Sequence, residues 1–549
     1  MAAFHERLKP WQRILLGIFC FPLLPFYLCV YCLCLKEEKN EEDVEENRQS
    51  TGFKDEINKE NVEENKHRFG HENRAKNGTE QIQTRLSFIN KGHKESKDRI
   101  LQEKRKQNSK TAGKFYYPWD GSSLKSLEID LKALGNLDHF ASKLDTKETV
   151  EELVQALIYD AKTELEKTRA IWIWICYHIE YDTKGYNNKA LRSSEPNEIL
   201  RTRKGVCAGY ASLFQRMCSI AGLQCKQVSG YSKGAGYQIG EKFSDKTDHA
   251  WNMIYLEGSW HLLDSTWGAG HTDDNVSKFT FKYNEIYFLT HPAIFITNHL
   301  PEEPDCQLLE TCLSREQYEK IVKLNDHYYN LGMVSYHPQT CVIETVKGKV
   351  SIVIKSQCNM KFSFTLNKTE KPGLLKLTNN GMTLDVYPQK TGKHILSIFA
   401  SNADSDKEYK QIMDYRVDCS SVDTSMIIPK CLNNPVGPNW ISEKAGLFNP
   451  SHPNPIIYTD DGCCTISFAL KKDIKLLCNL ESDEGKLTKE MASRNVLQTQ
   501  TKDNVEIKVH LPSSGTYVLL IFFKPSDSTS SSYNYLCNYL IVCNNTSMK

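Results

Sequence analysis

The chain has 549 residues, enough for about three or four domains that each bury a hydrophobic core. A formal net charge of +1, with 25% charged residues, gives no basic or acidic excess, so the composition does not indicate a nucleic-acid-binding protein. The 19 cysteines are scattered without a regular framework in a chain far longer than a disulfide-stapled scaffold, and we therefore expect reduced thiols in a cytoplasmic protein.

The N-terminal segment 1–35 contains an apolar run without a charge, ILLGIFCFPLLPFYLCVYCLCL at residues 14–35. A run of this length is long enough to span a bilayer as a helix, although Pro22 and Pro25 interrupt it. It exceeds a signal-peptide core and lacks a small-residue cleavage site. We expect a membrane anchor, with a cleaved or soluble segment as the alternative, and basic residues on both sides leave its orientation open.

Residues 36–113 are dominated by Glu, Lys, Asn, Gln and Arg and contain few aromatic residues. Such a segment cannot bury enough apolar surface to fold alone, so we expect a disordered charged linker. An electrostatic docking arm is the alternative, and the mixture of both charge signs counts against it.

Residues 114–335 combine helical and strand patterns typical of an α+β domain. Apolar residues recur at helical intervals over 146–159 and 163–178, with start signals at Asp145-Thr146 before the first of these helices. The second helix contains three aromatic residues that we interpret as core: Trp172, Trp174 and Tyr177.

The stretch KGVCAGYASLFQRMC, from Lys204, predicts a cysteine at the start of a helix, because apolar residues recur at helical spacing after Cys207. Unpaired N–H groups and the helix dipole favour an anion at that position. A thiol there ionises more readily, and the thiolate is the nucleophilic form. Gly205 and Gly209 are expected to leave the backbone open to a substrate.

The segments HAWNMIYL and SWHLLDSTW flank Glu257-Gly258 and predict a β-hairpin with a two-residue loop. In that register His249 lies opposite Thr266, and Asp264 is two residues away on the same face, within hydrogen-bonding reach. A three-residue loop would place Asp264 on the wrong face. Asp248 is the alternative acid, but neighbouring strand residues face opposite sides, which favours Asp264.

These residues predict a Cys-His-Asp unit in which His249 activates Cys207 and Asp264 orients His249. Each residue alone has an ordinary structural interpretation, and their combination favours a catalytic site. A zinc site is the weaker interpretation, because Cys207, Cys218, Cys225 and His249 show no paired short-spaced ligand motif. We therefore expect neither a metal nor a cofactor.

From residue 336 the pattern changes to short strands separated by turn signals, and it contains an internal repeat. TGKHILSIFASN…MDYRVDC ends at Cys419, and SGTYVLLIFFKP…CNYLIVC ends at Cys543. The repeat predicts two tandem β-sandwich domains, 336–432 and 433–549, each of about a hundred residues. Neither contains a convincing catalytic cluster, so we expect them to bind or position other proteins.

The stretch around Cys207 resembles the transglutaminase-like superfamily of papain-type cysteine enzymes. Its core motifs are a G-x-C helix, a strand-borne His and a following D-x-T-W-G, which this chain matches with GVC, His249 and DSTWG from Asp264. A closer likeness, to one member of this superfamily, runs from about Tyr116 to the C terminus. It is carried by six segments: YPWDGSSLKSLEIDL, KTRAIWIWICYHIEYD, SGYSKGAGYQIG, FKYNEIYFLTHPAIF, NNPVGPNWISEKAGL and SHPNPIIYTDDG.

The resemblance implies a papain-like catalytic core, with Cys207, His249 and Asp264 as nucleophile, base and orienting acid. It also implies a cytoplasmic enzyme that acts on proteins of the muscle cytoskeleton, and this core does not require a membrane anchor. In true transglutaminases an upstream tryptophan lines the cleft, which gives Trp172 and Trp174 an alternative interpretation. The backbone N–H of Cys207 is the expected first oxyanion donor.

We therefore expect a cysteine peptidase that forms an acyl-thioester with protein substrates. A transglutaminase or deamidase would use the same thioester, and a non-catalytic cytoskeletal scaffold is the third interpretation. No calcium-loop signature supports the classical transglutaminase mode. The glycine-rich link that carries Tyr231, Lys233 and Tyr237 is interpreted either as a border of the cleft or as a plain connector.

Overall fold

The structure, a computed structural model, describes residues 123–544 apart from 274, 404–407, 484–486 and 488. The predicted membrane anchor at 14–35 and the predicted linker at 36–113 therefore lie outside the described residues. No helix within the described ranges is long and apolar enough to cross a membrane.

The first part of the described chain packs helices against a four-stranded sheet. Its helices are α1 Gly135–Lys143, α2 Val150–Leu157, α3 Glu164–His178, α4 Thr183–Asn187, α5 Pro196–Thr202, α6 Cys207–Ile220, α7 Ser265–Ala269, α8 Pro292–Phe295, α9 Arg315–Lys320 and α10 Asp326–Asn330. Three short 3₁₀ turns accompany them: Lys189–Leu191, Glu285–Tyr287 and Pro304–Gln307. Helix α6 lies in the core, where it contacts α2 and α3.

The strands of this part are β1 Glu180–Tyr181, β2 Lys204–Gly205, β3 Cys225–Ser232, β4 His249–Leu256, β5 Ser259–Leu263, β6 Gly270–Thr272, β7 Phe279–Phe281 and β8 His299–Pro301. The main sheet is antiparallel with strand order β5-β4-β3-β8. Helix α6 packs against β4, the strand that begins at His249 and is called the histidine strand below. The start of the helix therefore lies close to this strand. The site is therefore built where a helix and a central strand meet.

The two predicted helices exist, but the first begins later than expected. Helix α2 starts at Val150, because Thr149 accepts a hydrogen bond from the Glu152 N–H and caps the helix. The start signal at Asp145-Thr146 was therefore wrong. Helix α3 begins after Thr163, whose side chain forms a capping box with Glu166.

The aromatic residues of α3 divide between core and surface. Trp172 and Trp174 are fully buried, which confirms their core interpretation. Tyr177 is 49% exposed, so the core interpretation was wrong for that residue. It stacks instead on Tyr283 at the surface of the domain, with ring centroids 5.5 Å apart.

The hairpin has the predicted two-residue loop, with Leu256 paired to Ser259 and positive φ at Glu257 and Gly258. The predicted continuation of its second strand through DSTW was wrong, because β5 ends at Leu263 and α7 begins directly after Asp264. The Asp264 carboxylate accepts backbone N–H groups of α7 and caps that helix, which replaces strand pairing.

The C-terminal part forms two sandwiches of two four-stranded sheets each. The first contains β9 Met333–His337, β10 Val342–Glu344, β11 Val350–Ser356, β12 Met360–Leu366, β13 Gly373–Thr378, β14 Gly381–Val386, β15 Gly392–Asn402 and β16 Lys410–Cys419. The second contains α11 Trp440–Ala445, β17 Leu447–Phe448, β18 Ile456–Thr459, β19 Cys463–Leu470, β20 Ile474–Glu481, α12 Lys489–Arg494, β21 Val496–Gln500, β22 Asn504–His510, β23 Gly515–Pro525 and β24 Asn534–Cys543.

The internal repeat corresponds to the same strand pair in both sandwiches. Gly392 pairs with Cys419 across β15 and β16, and Gly515 pairs with Cys543 across β23 and β24. Both pairs carry a register shift inside the Ile-Phe dipeptide, at 398–399 and at 521–522. The repeated sequence therefore encodes a repeated, bulged hairpin.

Gly230 lets the histidine strand and β8 approach β3 closely. It pairs with His249 on one side and Pro301 on the other, and an added Cβ would lie 2.2 Å from the Leu300 carbonyl oxygen. We expect Gly230→Ala to lower the free energy of unfolding by about 1–3 kcal/mol in urea denaturation. Gly135→Ala, where a Cβ meets nothing within 4 Å, is the matched control, and equal midpoints for both variants would contradict this packing account.

Candidate active site

Cys207 is the first residue of α6, as the sequence predicts, and Val206 is its N-cap. The residue is partly exposed to solvent. The expected role of the neighbouring glycines was wrong, because a Cβ at Gly205 or Gly209 would meet Cδ1 of Ile199 at 3.1 and 2.9 Å. These glycines make room for the Ile199 side chain and not for a substrate.

His249 begins β4 and is buried in the sheet, where it pairs with Gly230 of β3. Its Nε2 lies 2.7 Å from Oδ2 of Asp264, and its ring is close enough to the Cys207 thiol for each group to shift the pKa of the other. The structure therefore brings the three predicted residues together, with His249 hydrogen-bonded to Asp264 and electrostatically coupled to Cys207. Asp248, the alternative acid, is exposed and accepts the Ser232 N–H at 2.8 Å.

Asp264 is fully buried, and four donors satisfy its carboxylate. Oδ1 accepts the backbone N–H groups of Thr266 and Trp267 at 2.8 and 3.2 Å. Oδ2 accepts from Nε2 of His249 at 2.7 Å and from Nε2 of His299 at 3.0 Å. This donor set holds the carboxylate ionised and fixes its plane.

His299 is a part of the cluster that sequence reasoning missed. It begins β8, is completely buried, and reaches Asp264 from the far side of β3. Its sequence signal is weak: a polar Asn298-His299 pair within the apolar stretch AIFITNHL. The contact depends on the pairing of β8 with β3, which no local pattern reveals.

The interactions within the cluster shift the pKa values of Cys207 and His249 so that the thiolate and the imidazolium are favoured. Burial opposes ionisation of Cys207, but the His249 hydrogen bond and charge, with the Ala250 N–H, lower the pKa of the thiol below its ordinary value. Burial also opposes a charged His249, but Asp264 and Cys207 outweigh it and raise the pKa of the imidazole to about 10. The same pairing, opposed by burial, holds the pKa of Asp264 well below its usual range.

We expect this ion pair to be visible as a thiolate at neutral pH. The Cys207 thiol ionises below its ordinary pKa, while the His249 imidazole stays protonated up to about pH 10. The thiolate–imidazolium pair therefore persists between the lowered pKa of the thiol and about pH 10. The ultraviolet thiolate absorbance of the protein, minus that of Cys207→Ala, should persist at neutral pH and disappear on acidification. Loss of this absorbance only at the pKa of an ordinary thiol would contradict the pairing.

Among the described residues, His249, Asp264 and His299 offer ligand atoms within 4.8 Å of one another. Two ligands of one tetrahedral zinc, each about 2.1 Å from the metal, are roughly 3.4 Å apart. The nitrogen–oxygen distances of 2.7 and 3.0 Å are shorter and fit hydrogen bonds instead. In this structure, therefore, the three side chains are linked by hydrogen bonds.

His249 borders a cleft of about 1120 Å³. The walls come from the glycine-rich link 233–238, from Trp267 of α7 and from the segment 323–326 ahead of the first sandwich. Lys233 and Tyr237 of the link therefore border the cleft, whereas Tyr231 belongs to β3 and is not among the lining residues. Trp172 and Trp174 are not among the lining residues, so the tryptophan at the cleft is Trp267.

Lys233 anchors one wall of the cleft. Its buried ammonium donates to the backbone carbonyls of Tyr318 and Ile321 at 2.8 and 2.7 Å. Burial lowers the pKa of this lysine to about 7. These bonds tie the link to the segment that leads into the first sandwich.

Comparisons with known proteins agree with this architecture. The transglutaminase-like superfamily matches residues 151–265, and the KY-like, immunoglobulin-like domain matches residues 315–430 and 441–549. The chain is therefore a transglutaminase-like protein that carries two KY-like, immunoglobulin-like domains. The family resemblance and the fold class expected from the sequence are both confirmed.

The chain is similar to kyphoscoliosis peptidase. It is 48% identical to the Homo sapiens protein over 431 residues, which are 78% of this chain and 65% of that protein. It is 47% identical to the Mus musculus protein over 430 residues, again 78% of this chain and 65% of the relative. Lim and transglutaminase domain protein ltd-1 of Caenorhabditis elegans is 28% identical over 433 residues, 71% of this chain and 59% of that protein. The chain thus spans less than two thirds of the length of these relatives.

Proposed function

We propose that the chain is a cysteine peptidase that cleaves protein substrates through an acyl-thioester on Cys207. The supporting observation is the cluster in which His249 bonds to the buried Asp264 carboxylate, lowers the pKa of the Cys207 thiol and borders a cleft. Kyphoscoliosis peptidase, to which this chain is 48% identical over 431 residues, carries a peptidase name.

The reaction begins when the Cys207 thiolate attacks the carbonyl carbon of a peptide bond. The oxyanion forms at the N-terminus of α6, where the Cys207 N–H is not used within the helix. The protonated His249 then gives its proton to the departing amine, which leaves an acyl-thioester. Water, deprotonated by His249, attacks the thioester and releases the acid and the thiolate.

Transfer to an amine is the second candidate, and the transglutaminase-like match over 151–265 favours it. A primary amine that enters the cleft would attack the same thioester in place of water, and water acting on a glutamine thioester would give deamidation. The outcome depends on whether water or the amine reaches the thioester first. A scaffold that keeps the site without turnover is the third candidate.

The substrates we propose are cytoskeletal proteins of muscle, and the two immunoglobulin-like domains are proposed to bind or position them in the cytoplasm. The second sandwich packs on the first through an apolar contact that includes Leu374 and Tyr387 on one side and Val518 and Leu540 on the other. This contact would hold the two domains as one binding surface next to the catalytic domain.

The reaction type can be tested with the full chain, a mixture of unfolded muscle proteins and an isotopically labelled primary amine. Mass spectrometry separates new peptide termini from amine incorporation and from deamidated glutamine. New termini that depend on Cys207 are the expected result. Label incorporation without cleavage would replace the peptidase proposal with amine transfer. The absence of both products would favour the scaffold.

A further inference from the structure

His299 is a buried imidazole that the proposed reaction does not use. Its ring stacks on Phe295, with centroids 4.1 Å apart, and lies 4.4 Å from the ring of Trp267. The backbone of His299 is held by β8, where it pairs with Ser232 of β3. The imidazole therefore has a fixed position and a fixed direction toward Asp264.

The hydrogen bonds determine which nitrogen of His299 carries the proton. Oδ2 of Asp264 is an acceptor, so the Nε2 atom of His299 must donate at 3.0 Å. Its Nδ1 lies 2.7 Å from the atom assigned as Oδ1 of Asn298. A neutral ring that donates from Nε2 can only accept at Nδ1, so it requires the Asn298 amide to be turned with its NH₂ group at this position, since the O and N of an amide are assigned from such bonds.

We propose that His299 is a positioning residue that holds the Asp264 carboxylate in line with His249 by donating a hydrogen bond from Nε2. The inference rests on the proposed Cys207–His249 pair, whatever bond that pair cleaves. Without His299, Oδ2 would be held only by His249, which is the group that the carboxylate must orient. The Nε2 atom of His299 is a donor that does not depend on His249, so it can hold the carboxylate in place independently.

A neutral donor suits this task, because a second cation would compete with His249 for the same carboxylate. Burial, opposed by Asp264, lowers the pKa of His299 to about 4, so the ring stays neutral where His249 is charged. The carboxylate therefore receives two hydrogen bonds from imidazoles but only one positive charge.

Other titratable groups around the cluster do not supply a competing proton. Burial raises the pKa values of four neighbouring groups, which stay neutral across the working range: Cys176, Tyr181, Tyr210 and Tyr287. Asp248 is the remaining charged neighbour of His249, and partial burial raises the pKa of its carboxyl above the ordinary value. Because Asp248 is the same in the parent and in the His299 variants, a difference between their acid limbs reports on the three-residue cluster.

The test compares His299→Gln with His299→Asn in the full chain. A glutamine amide reaches the place of Nε2, whereas the asparagine amide ends near the place of Nδ1, so only glutamine keeps the donor to Asp264. The measurement is the rate of iodoacetamide labelling at Cys207 against pH, read by mass spectrometry. Thermal melting of both variants checks the fold.

We expect the Asn variant to label about tenfold more slowly than the parent near neutral pH, since a hydrogen bond to a charged group is lost. Its acid limb should move to higher pH, because the less stabilised Asp264 protonates earlier and leaves His249 without its partner. The Gln variant should stay within about threefold of the parent. If the Asn variant does not melt cooperatively, the Gln variant decides alone.

A folded Asn variant with the parental profile, or a tenfold loss in the Gln variant, would overturn the role of His299. Slow labelling of Cys207 in the unmodified protein would instead refute the proposed function. Fast labelling without peptide cleavage would refute the peptidase and leave the positioning role intact. These outcomes therefore separate a failure of the positioning role of His299 from a failure of the proposed function.

Discussion

Cys207→Ala is expected to reduce turnover by at least about 10⁴-fold, because alanine removes the thiolate that pairs with the protonated His249. The fold should survive, since Cys207 is a partly exposed residue at the start of α6 and alanine is the best helix former. The measurement is cleavage of the identified substrate by the full chain, with thermal melting as a check on folding.

The chain contains a matched control for this variant. Cys463 is exposed on β19 and lies 3.1 Å from Nδ1 of His510, so it is a second thiol beside an imidazole. That pair has neither a helix N-terminus nor a buried carboxylate behind it. Cys463→Ala should leave turnover unchanged, and full activity in Cys207→Ala would sink the mechanism.

Asp264→Asn is expected to lower kcat by roughly 10³–10⁴-fold with little change in KM. Both oxygens of Asp264 accept from two N–H groups each, so an amide NH₂ in either place faces donors. If the amide turns toward His249, the imidazole loses the acceptor that orients it. Asparagine is still a good N-cap, so α7 should persist.

Asp248→Asn is the control for that change. Its carboxylate neighbours the same histidine but lies at the surface, where its bond to the Ser232 N–H can be kept by the asparagine oxygen. Activity within about threefold of the parent is expected, as for a surface substitution. An Asp264→Asn protein that turns over like Asp248→Asn would contradict the role of the buried acid.

Local sequence patterns predicted the parts of the site that depend on neighbouring residues. Helical periodicity placed Cys207 at the start of α6, and the Glu257-Gly258 turn fixed the register that brings His249 and Asp264 near each other. The repeated Gly…Ile-Phe…Cys pattern likewise encodes a repeated strand pair in the two sandwiches. In each case the signal and the structure span a short stretch.

The errors have a common physical origin in competition with tertiary structure. The DSTW segment fits either strand alternation or a helix cap, and the donors around Asp264 favour the cap. The glycines near Cys207 were assigned to a substrate because the approach of Ile199 from α5 is not visible locally. His299 was missed because it reaches Asp264 only through the pairing of β8 with β3.

The most direct test of the account compares the labelling rates of all 19 cysteines in the full chain with iodoacetamide across pH. The thiolate–imidazolium pair predicts that Cys207 labels fastest well below the pKa of an ordinary thiol, and that His249→Ala removes this advantage. Cys463, exposed and beside His510, is the internal reference. Labelling of Cys207 no faster than Cys463, with no effect of His249→Ala, would contradict the proposed active site.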